Sequence, residues 1–204
     1  YDARMKCGTG KYHWCRVCAT PYMREDKLYL IGVVSDVSNL YDLILKEKEK
    51  NMKDTFTGCY NKNGFKELCQ KFLDKTPRPS YAFIMIDLDD FKAINDNFGH
   101  DTGDSVLLET VKQLREFFPR PSLIGRFGGD EFMVLCPFSQ KELLEETINH
   151  FMECTIPPYS VKKSVGYTFI PDDKIDYEEI IKTADKALYT AKQKKNCAVF
   201  SSIS

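Results

Sequence analysis

The chain has 204 residues, with 29 basic and 30 acidic side chains, a formal net charge of −1 and 43% hydrophobic residues. That apolar content supports a packed core and excludes wholesale disorder, while the balanced charge gives no electrostatic case for non-specific binding to nucleic acid or to a membrane surface. No apolar run approaches the roughly 18 residues that span a bilayer. The start, Tyr1-Asp2-Ala3-Arg4-Met5, shows no signal peptide and no initiator Met, so a piece of a longer cytosolic protein is expected.

Taken in chain order, residues 10–37 read as antiparallel β structure. Tyr12–Ala19 and Leu28–Asp36 are the strands, and Arg24-Glu25-Asp26-Lys27 is the polar turn. Two strands alone are marginal, so partners outside the chain are expected. Cys15 and Cys18 lie in the first strand at a spacing that sends them to opposite faces. With no secretory context, all eight cysteines are expected to be reduced. Val37, Leu40, Tyr41, Ile44 and Leu45 then follow a helical period, continued by the charged run Lys46–Lys50.

After Asp54 the pattern is globular. Asn63–Leu73 reads as a helix and Tyr81–Asp87 as a strand buried on both faces. Phe91–Asn97 and Ser105–Phe118 read as helices. Leu123–Phe127 and Glu131–Cys136 flank Gly128-Gly129-Asp130 as a hairpin. Lys141–Glu153 is helical, Val161–Ile170 a strand, Tyr177–Lys194 a helix and Ala198–Ser201 a last short strand. The alternation predicts a layered α/β or α+β domain over residues 54–204.

Asp87 ends a buried strand, where a carboxylate is costly unless something pairs with it. Asp89 and Asp90 are read as caps of the following helix. Asp130 and Glu131 stand at the hairpin tip. Two acidic strand ends on one sheet can converge on a divalent metal, and Mg²⁺ favours a few carboxylates plus substrate phosphate oxygens.

The string Arg126-Phe127-Gly128-Gly129-Asp130-Glu131-Phe132 carries the signature for which the GGDEF family is named. Further segments match in order: Asp54-x-Phe56-Thr57-Gly58, Asp87-x-Asp89-x-Phe91-Lys92-x-Ile94-Asn95-Asp96, Phe98-Gly99-His100, Gly103-Asp104, Ser164-Val165-Gly166, and Ala184-Asp185-x-Ala187-Leu188-Tyr189-x-Ala191-Lys192. Residues 54–204 thus resemble a diguanylate cyclase, which condenses two GTP into cyclic di-GMP and releases two pyrophosphates. The resemblance implies an α+β fold with a mostly antiparallel central sheet flanked by helices, related to polymerase palms and class III nucleotide cyclases.

It also implies roles. Asp87, Asp130 and Glu131, with the Leu88 carbonyl, would hold Mg²⁺, with Mn²⁺ as an alternative. Asp130 would take the ribose 3′-hydroxyl proton and Lys92 would counter charge on the phosphates. Asn95 and Asp104 would bond the guanine edge, with Phe91, His100, Gly128 and Gly129 in the substrate pocket. Lys192, and Lys195 in place of the usual Arg, would reach the terminal phosphates. GTP is the implied ligand and a homodimer the implied catalytic unit, because each site holds one of the two nucleotides. A runner-up reading is a catalytically silent module that binds GTP or cyclic di-GMP and signals by contact. The intact Asp87 and Gly128–Phe132 speak against it, since silent members usually lose them.

The sequence departs from the family at Phe56, where Leu is usual, and at Gln193-Lys194-Lys195-Asn196, where Gly-Arg-Asn is usual. It also departs at Pro119-Arg120-Pro121-Ser122, where many members carry the Arg-x-x-Asp of a product-feedback site. The front segment, Gly10–Trp14 to Gly32–Ser38, resembles the last strands of a PAS sensor domain. The expected organisation is residues 1–37 as that PAS-like end, 38–53 as a helical signalling linker and 54–204 as the catalytic domain.

Overall fold

The computed structural model describes residues 1–75, 77–156, 160–172 and 175–203, which fall into two compact units, Tyr1–Asn51 and Met52–Ser204.

In the first unit, β1 (Asp2–Lys6), β2 (Tyr12–Arg24) and β3 (Lys27–Asp36) form an antiparallel sheet in that order, followed by α1 (Ser38–Asn51). Glu25 and Asp26 both take positive φ, 52° and 59°, the geometry of a tight two-residue hairpin. The sequence expectation of two strands lacking a partner within the chain is corrected: β1 pairs with Tyr12–Arg16 of β2. Beyond Val17, which exchanges backbone bonds with Tyr1, β2 pairs among the described residues with β3 alone, so the missing N–H of Pro21 interrupts no second ladder. Cys15 is buried and Cys18 exposed, as the strand alternation requires. The start of α1 is tied down locally: Asp36 accepts from Ser38 N–H at 2.9 Å, and the Trp14 and Tyr41 rings stack at 4.3 Å.

The second unit contains a five-stranded sheet in the order β5-β6-β4-β7-β8, formed by β4 (Ser80–Leu88), β5 (Leu123–Gly128), β6 (Glu131–Phe138), β7 (Lys163–Ile170) and β8 (Ala198–Phe200). Every pairing is antiparallel except β7–β8. The helices are α2 (Lys62–Leu73), α3 (Phe91–Phe98), α4 (His100–Phe117), α5 (Lys141–Glu153) and α6 (Tyr177–Lys194). This is the expected α+β architecture.

The continuous apolar run of β4 is explained by its central position, paired on both sides and covered on both faces. Its alternation feeds two cores. Ala82, Ile84, Ile86 and Leu88 pack with Val111, Leu114 and Phe151 on the α4–α5 side. Tyr81, Phe83 and Met85 pack with Phe65, Ile180 and Leu188 on the α2–α6 side. The same alternation sends Asp87 to the α6 side. Helix α6 lies close on β7: a Cβ on Gly166 would stand 2.1 Å from the Leu188 nitrogen, so only glycine allows that approach.

Helix α4 begins at His100, five residues before the sequence-predicted start at Ser105. The polar, glycine-bearing stretch His100–Asp104 resembles a loop by composition, yet Gly99 at φ 87° closes α3 and opens α4 directly.

Candidate active site

The β4–β6 register sets Asp87 opposite Glu131, so both side chains emerge on one face at the strand ends. Asp130 precedes Glu131 in the tight turn that joins β5 to β6, with Gly129 at φ 52°. A register shift between Arg126 and Gly128 leaves Phe127 as a bulge, which bends the hairpin tip. Among the described residues nothing stands within 4 Å of a Cβ built on Gly128 or Gly129, which leaves the tip open to a ligand.

Lys192 reaches in from the last turn of α6. Its Nζ lies 2.7 Å from Asp87 Oδ2 and 2.9 Å from Glu131 Oε1. Burial raises the Asp87 carboxyl above its ordinary value; Lys192 opposes this, and Asp130 and Glu131 add to it. Burial raises Asp130 as well, reinforced by Glu131. Burial alone would lower the Lys192 ammonium, but its bonds to Asp87 and Glu131 prevail and raise it. Three carboxylates with one ammonium form an electron-rich site that favours an added cation. Among the described residues no group of three or more His, Cys, Asp or Glu side chains is placed to hold a metal ion by itself. Mg²⁺ can bind through one or two carboxylates and complete its shell with water and substrate phosphate.

The hairpin is held from behind. Arg126 donates through Nε and Nη2 to the Gly129 carbonyl at 2.9 and 2.6 Å, and its Nη1 lies 3.2 Å from Asp54 Oδ1. The same Asp54 oxygen accepts from Thr57 N–H at 2.8 Å and Thr57 Oγ1 at 2.6 Å. The Asp54–Gly58 segment is thereby fastened to the hairpin that carries Asp130.

Asp89 and Asp90 do not cap α3. Asp90 occupies the cap position in a left-handed conformation without a side-chain cap bond. Its carboxylate instead takes Lys195 Nζ at 2.7 and 2.8 Å. Buried Asp89 accepts from Ser164 Oγ at 2.7 Å and from Asn196 N–H at 2.8 Å. These acids anchor the turn after α6, and Lys195 engages Asp90 rather than the Asp87–Glu131 pair.

The other residues implied by the resemblance gather around α3 and α4. Phe91 and Asn95 are half-buried on α3, Lys92 is exposed there, and His100 and Asp104 are exposed on the first turns of α4. Leu88 is buried at the end of β4.

Residues 51–197 match the family model described as the diguanylate cyclase GGDEF domain, and the chain belongs to that family. Over 150 residues it is 33% identical to the probable diguanylate cyclase DgcC of Escherichia coli, covering 69% of this chain and 40% of that protein. It is 29% identical over 147 residues to the E. coli cyclic di-GMP phosphodiesterase PdeR, covering 69% of this chain and 22% of the relative. The chain therefore spans less than half the length of these relatives. Among solved structures, the diguanylate cyclase SiaD from Pseudomonas aeruginosa, crystallised with its activator SiaC, superposes with a TM-score of 0.68 at 30% identity. That match covers 80% of this chain and 66% of SiaD.

Proposed function

We propose that residues 54–204 form a diguanylate cyclase. The observation that carries the reading is the cluster at the β4–β6 strand ends, where Asp87 and Glu131 oppose each other beside Asp130 and Lys192 reaches both strands. Asp87, Asp130 and Glu131, with the Leu88 carbonyl, are the groups to hold Mg²⁺ or Mn²⁺, which when bound neutralises charge on the α-phosphate and leaving oxygens.

Asp130 accepts the ribose 3′-hydroxyl proton. The 3′-oxygen then forms a bond to the α-phosphorus of the other GTP as the bond from that phosphorus to pyrophosphate breaks. The same exchange repeated in the opposite sense closes the ring. Lys92 and Lys192 counter the charge on the phosphates, and Asn95 and Asp104 read the guanine edge, where a carboxylate pairs with N1–H and N2–H that adenine does not offer. Phe91, His100, Gly128 and Gly129 line the nucleotide's path. Lys195, paired with Asp90, and Lys192, paired with Asp87 and Glu131, would each have to leave a carboxylate to meet a phosphate. Residues 1–37 and 38–53 are proposed as the end of a PAS-like sensor and its signalling linker.

Incubation with GTP and Mg²⁺ and identification of the product by mass tests the reaction; a folded protein that binds GTP yet makes no cyclic product would refute it. Each site holds one nucleotide, so two chains must face each other about a two-fold axis. The rate per chain is expected to fall on dilution, and a constant rate well below the dimer dissociation constant would exclude this assembly.

Product feedback is expected to be weak. Arg120 and Ser122 line a cavity of about 710 Å³ together with Lys53 and Arg115, and among the described residues no carboxylate lines it. Cations there can meet phosphates, but a guanine base finds no carboxylate for its N–H pair. Calorimetry with the active site blocked should show no sub-micromolar binding of cyclic di-GMP; such binding, lost on Arg120→Ala, would overturn the expectation.

A further inference from the structure

Gly103 is the fourth residue of α4, at a place where alanine is the better helix former. Its φ is not positive, so the backbone conformation does not call for glycine. What calls for it is a neighbour. A Cβ at 103 would stand 1.9 Å from Asn95 Oδ1, 2.9 Å from Asn95 Cγ and 3.2 Å from Phe91 Cζ. The Asn95 amide thus lies directly against the bare face of Gly103. Among the described residues it makes no side-chain hydrogen bond, so packing alone fixes its direction.

Two nearby residues of the helix, Thr102 and Ser105, turn their own hydroxyls away. Thr102 Oγ1 donates to the Phe98 carbonyl and Ser105 Oγ to the Asp101 carbonyl, both at 2.9 Å. Beside Gly103 this leaves the Asn95 amide and the exposed Asp104 carboxylate as the groups available to a ligand. An amide offers both a donor and an acceptor, and a carboxylate offers acceptors.

We propose that Gly103 is a specificity-determining position. Its absent side chain seats the Asn95 amide where it can meet a guanine edge, and any larger residue at 103 displaces that amide. The inference rests on the guanine-nucleotide reading given above. Gly103 touches no substrate in this account; it is a positioning residue that acts through Asn95.

The test is a double-variant cycle read by equilibrium binding, using the α,β-methylene analogues of GTP and ATP, which cannot be cyclised, with Mg²⁺ present. The wild type should prefer the guanine analogue. Gly103→Ala should weaken the guanine analogue by about tenfold or more and leave the adenine analogue unchanged. Its melting temperature should fall only modestly, because the helix preference of alanine offsets part of the crowding against Asn95 and Phe91. In an Asn95→Ala background the Gly103→Ala change should alter binding by less than about twofold, the signature of two residues acting as one unit.

Equal losses in both backgrounds, equal losses for both bases, or no loss at all would overturn the proposal. If Gly103→Ala alone does not fold, recovery of the fold in the double variant supports the proposal and failure to recover it overturns it. A wild type without base preference would sink both this inference and the guanine reading. A wild type that binds the guanine analogue but makes no cyclic product from GTP sinks only the cyclisation, and the cycle still decides the role of Gly103.

Discussion

Asp130→Asn is expected to lower GTP turnover by at least about 10³-fold, the scale of loss when a preorganised charged group is removed from a reacting centre, while the protein stays folded. The two outcomes have one cause. Burial and the neighbouring Glu131 both raise the Asp130 carboxyl, so its charge is held at a cost to the folded state. Asparagine keeps the shape and removes that cost, so the melting temperature should hold or rise slightly while metal binding and proton acceptance are lost. Asp87→Asn should abolish turnover equally, but its melting temperature should not rise, because Asp87 is paired with Lys192 at 2.7 Å. Product formation by chromatography, set beside thermal melts, separates these effects. Full activity in Asp130→Asn would remove that residue from the reaction.

Much of this site was legible in the sequence because its logic is local. The apolar run Tyr81–Ile86 announced a strand buried on both faces, and β4 is the central strand. The Gly128–Asp130 turn announced a hairpin, and pairing that hairpin with β4 brings Glu131 opposite Asp87. Helix α6, Tyr177–Lys194, follows its apolar period from end to end.

What escaped depends on partners far along the chain. Asp89 and Asp90 sit where caps usually stand, but their partners lie 75, 105 and 107 residues away, beyond the reach of local spacing. The resemblance sends Lys192 toward phosphates, and its bonds to Asp87 and Glu131 depend on α6 lying against β7 and β4, which local spacing does not show. Strand β1 has two small or flexible apolar residues among charged ones, and it is defined by its pairing with β2 rather than by its own pattern.

Lys163 escaped for a related reason: a lysine at the start of a strand reads as a solvated residue, and here it is fully buried. Its Nζ donates to the Phe151 carbonyl at 2.8 Å and to the Cys154 carbonyl, and lies 4.5 Å from the centre of the Phe151 ring. It thereby satisfies carbonyls at the end of α5, a favourable place for a cation. Burial nevertheless dominates and holds its pKa down to about 8, with Cys154 acting in the opposite sense.

An unfolded lysine titrates near 10.4, so between these values the unfolded chain binds a proton that the folded chain does not, and stability rises with pH across that window. The full effect is about 3 kcal/mol at roughly 1.4 kcal/mol per pH unit. Below pH 8 both states carry the proton and the cost of the buried charge is felt in full. The raw curve will not display this cleanly, because burial raises Cys69, Tyr167 and Tyr177, and these groups cost stability as pH climbs. Subtracting the curve of Lys163→Met removes their contribution. Urea unfolding at pH 7 and pH 10 should therefore show the wild type gaining about 2–3 kcal/mol relative to Lys163→Met, whatever the offset between the two proteins at neutral pH. A difference that stays flat with pH would mean that Lys163 keeps its proton in the folded protein throughout, so that the carbonyls of α5 outweigh its burial.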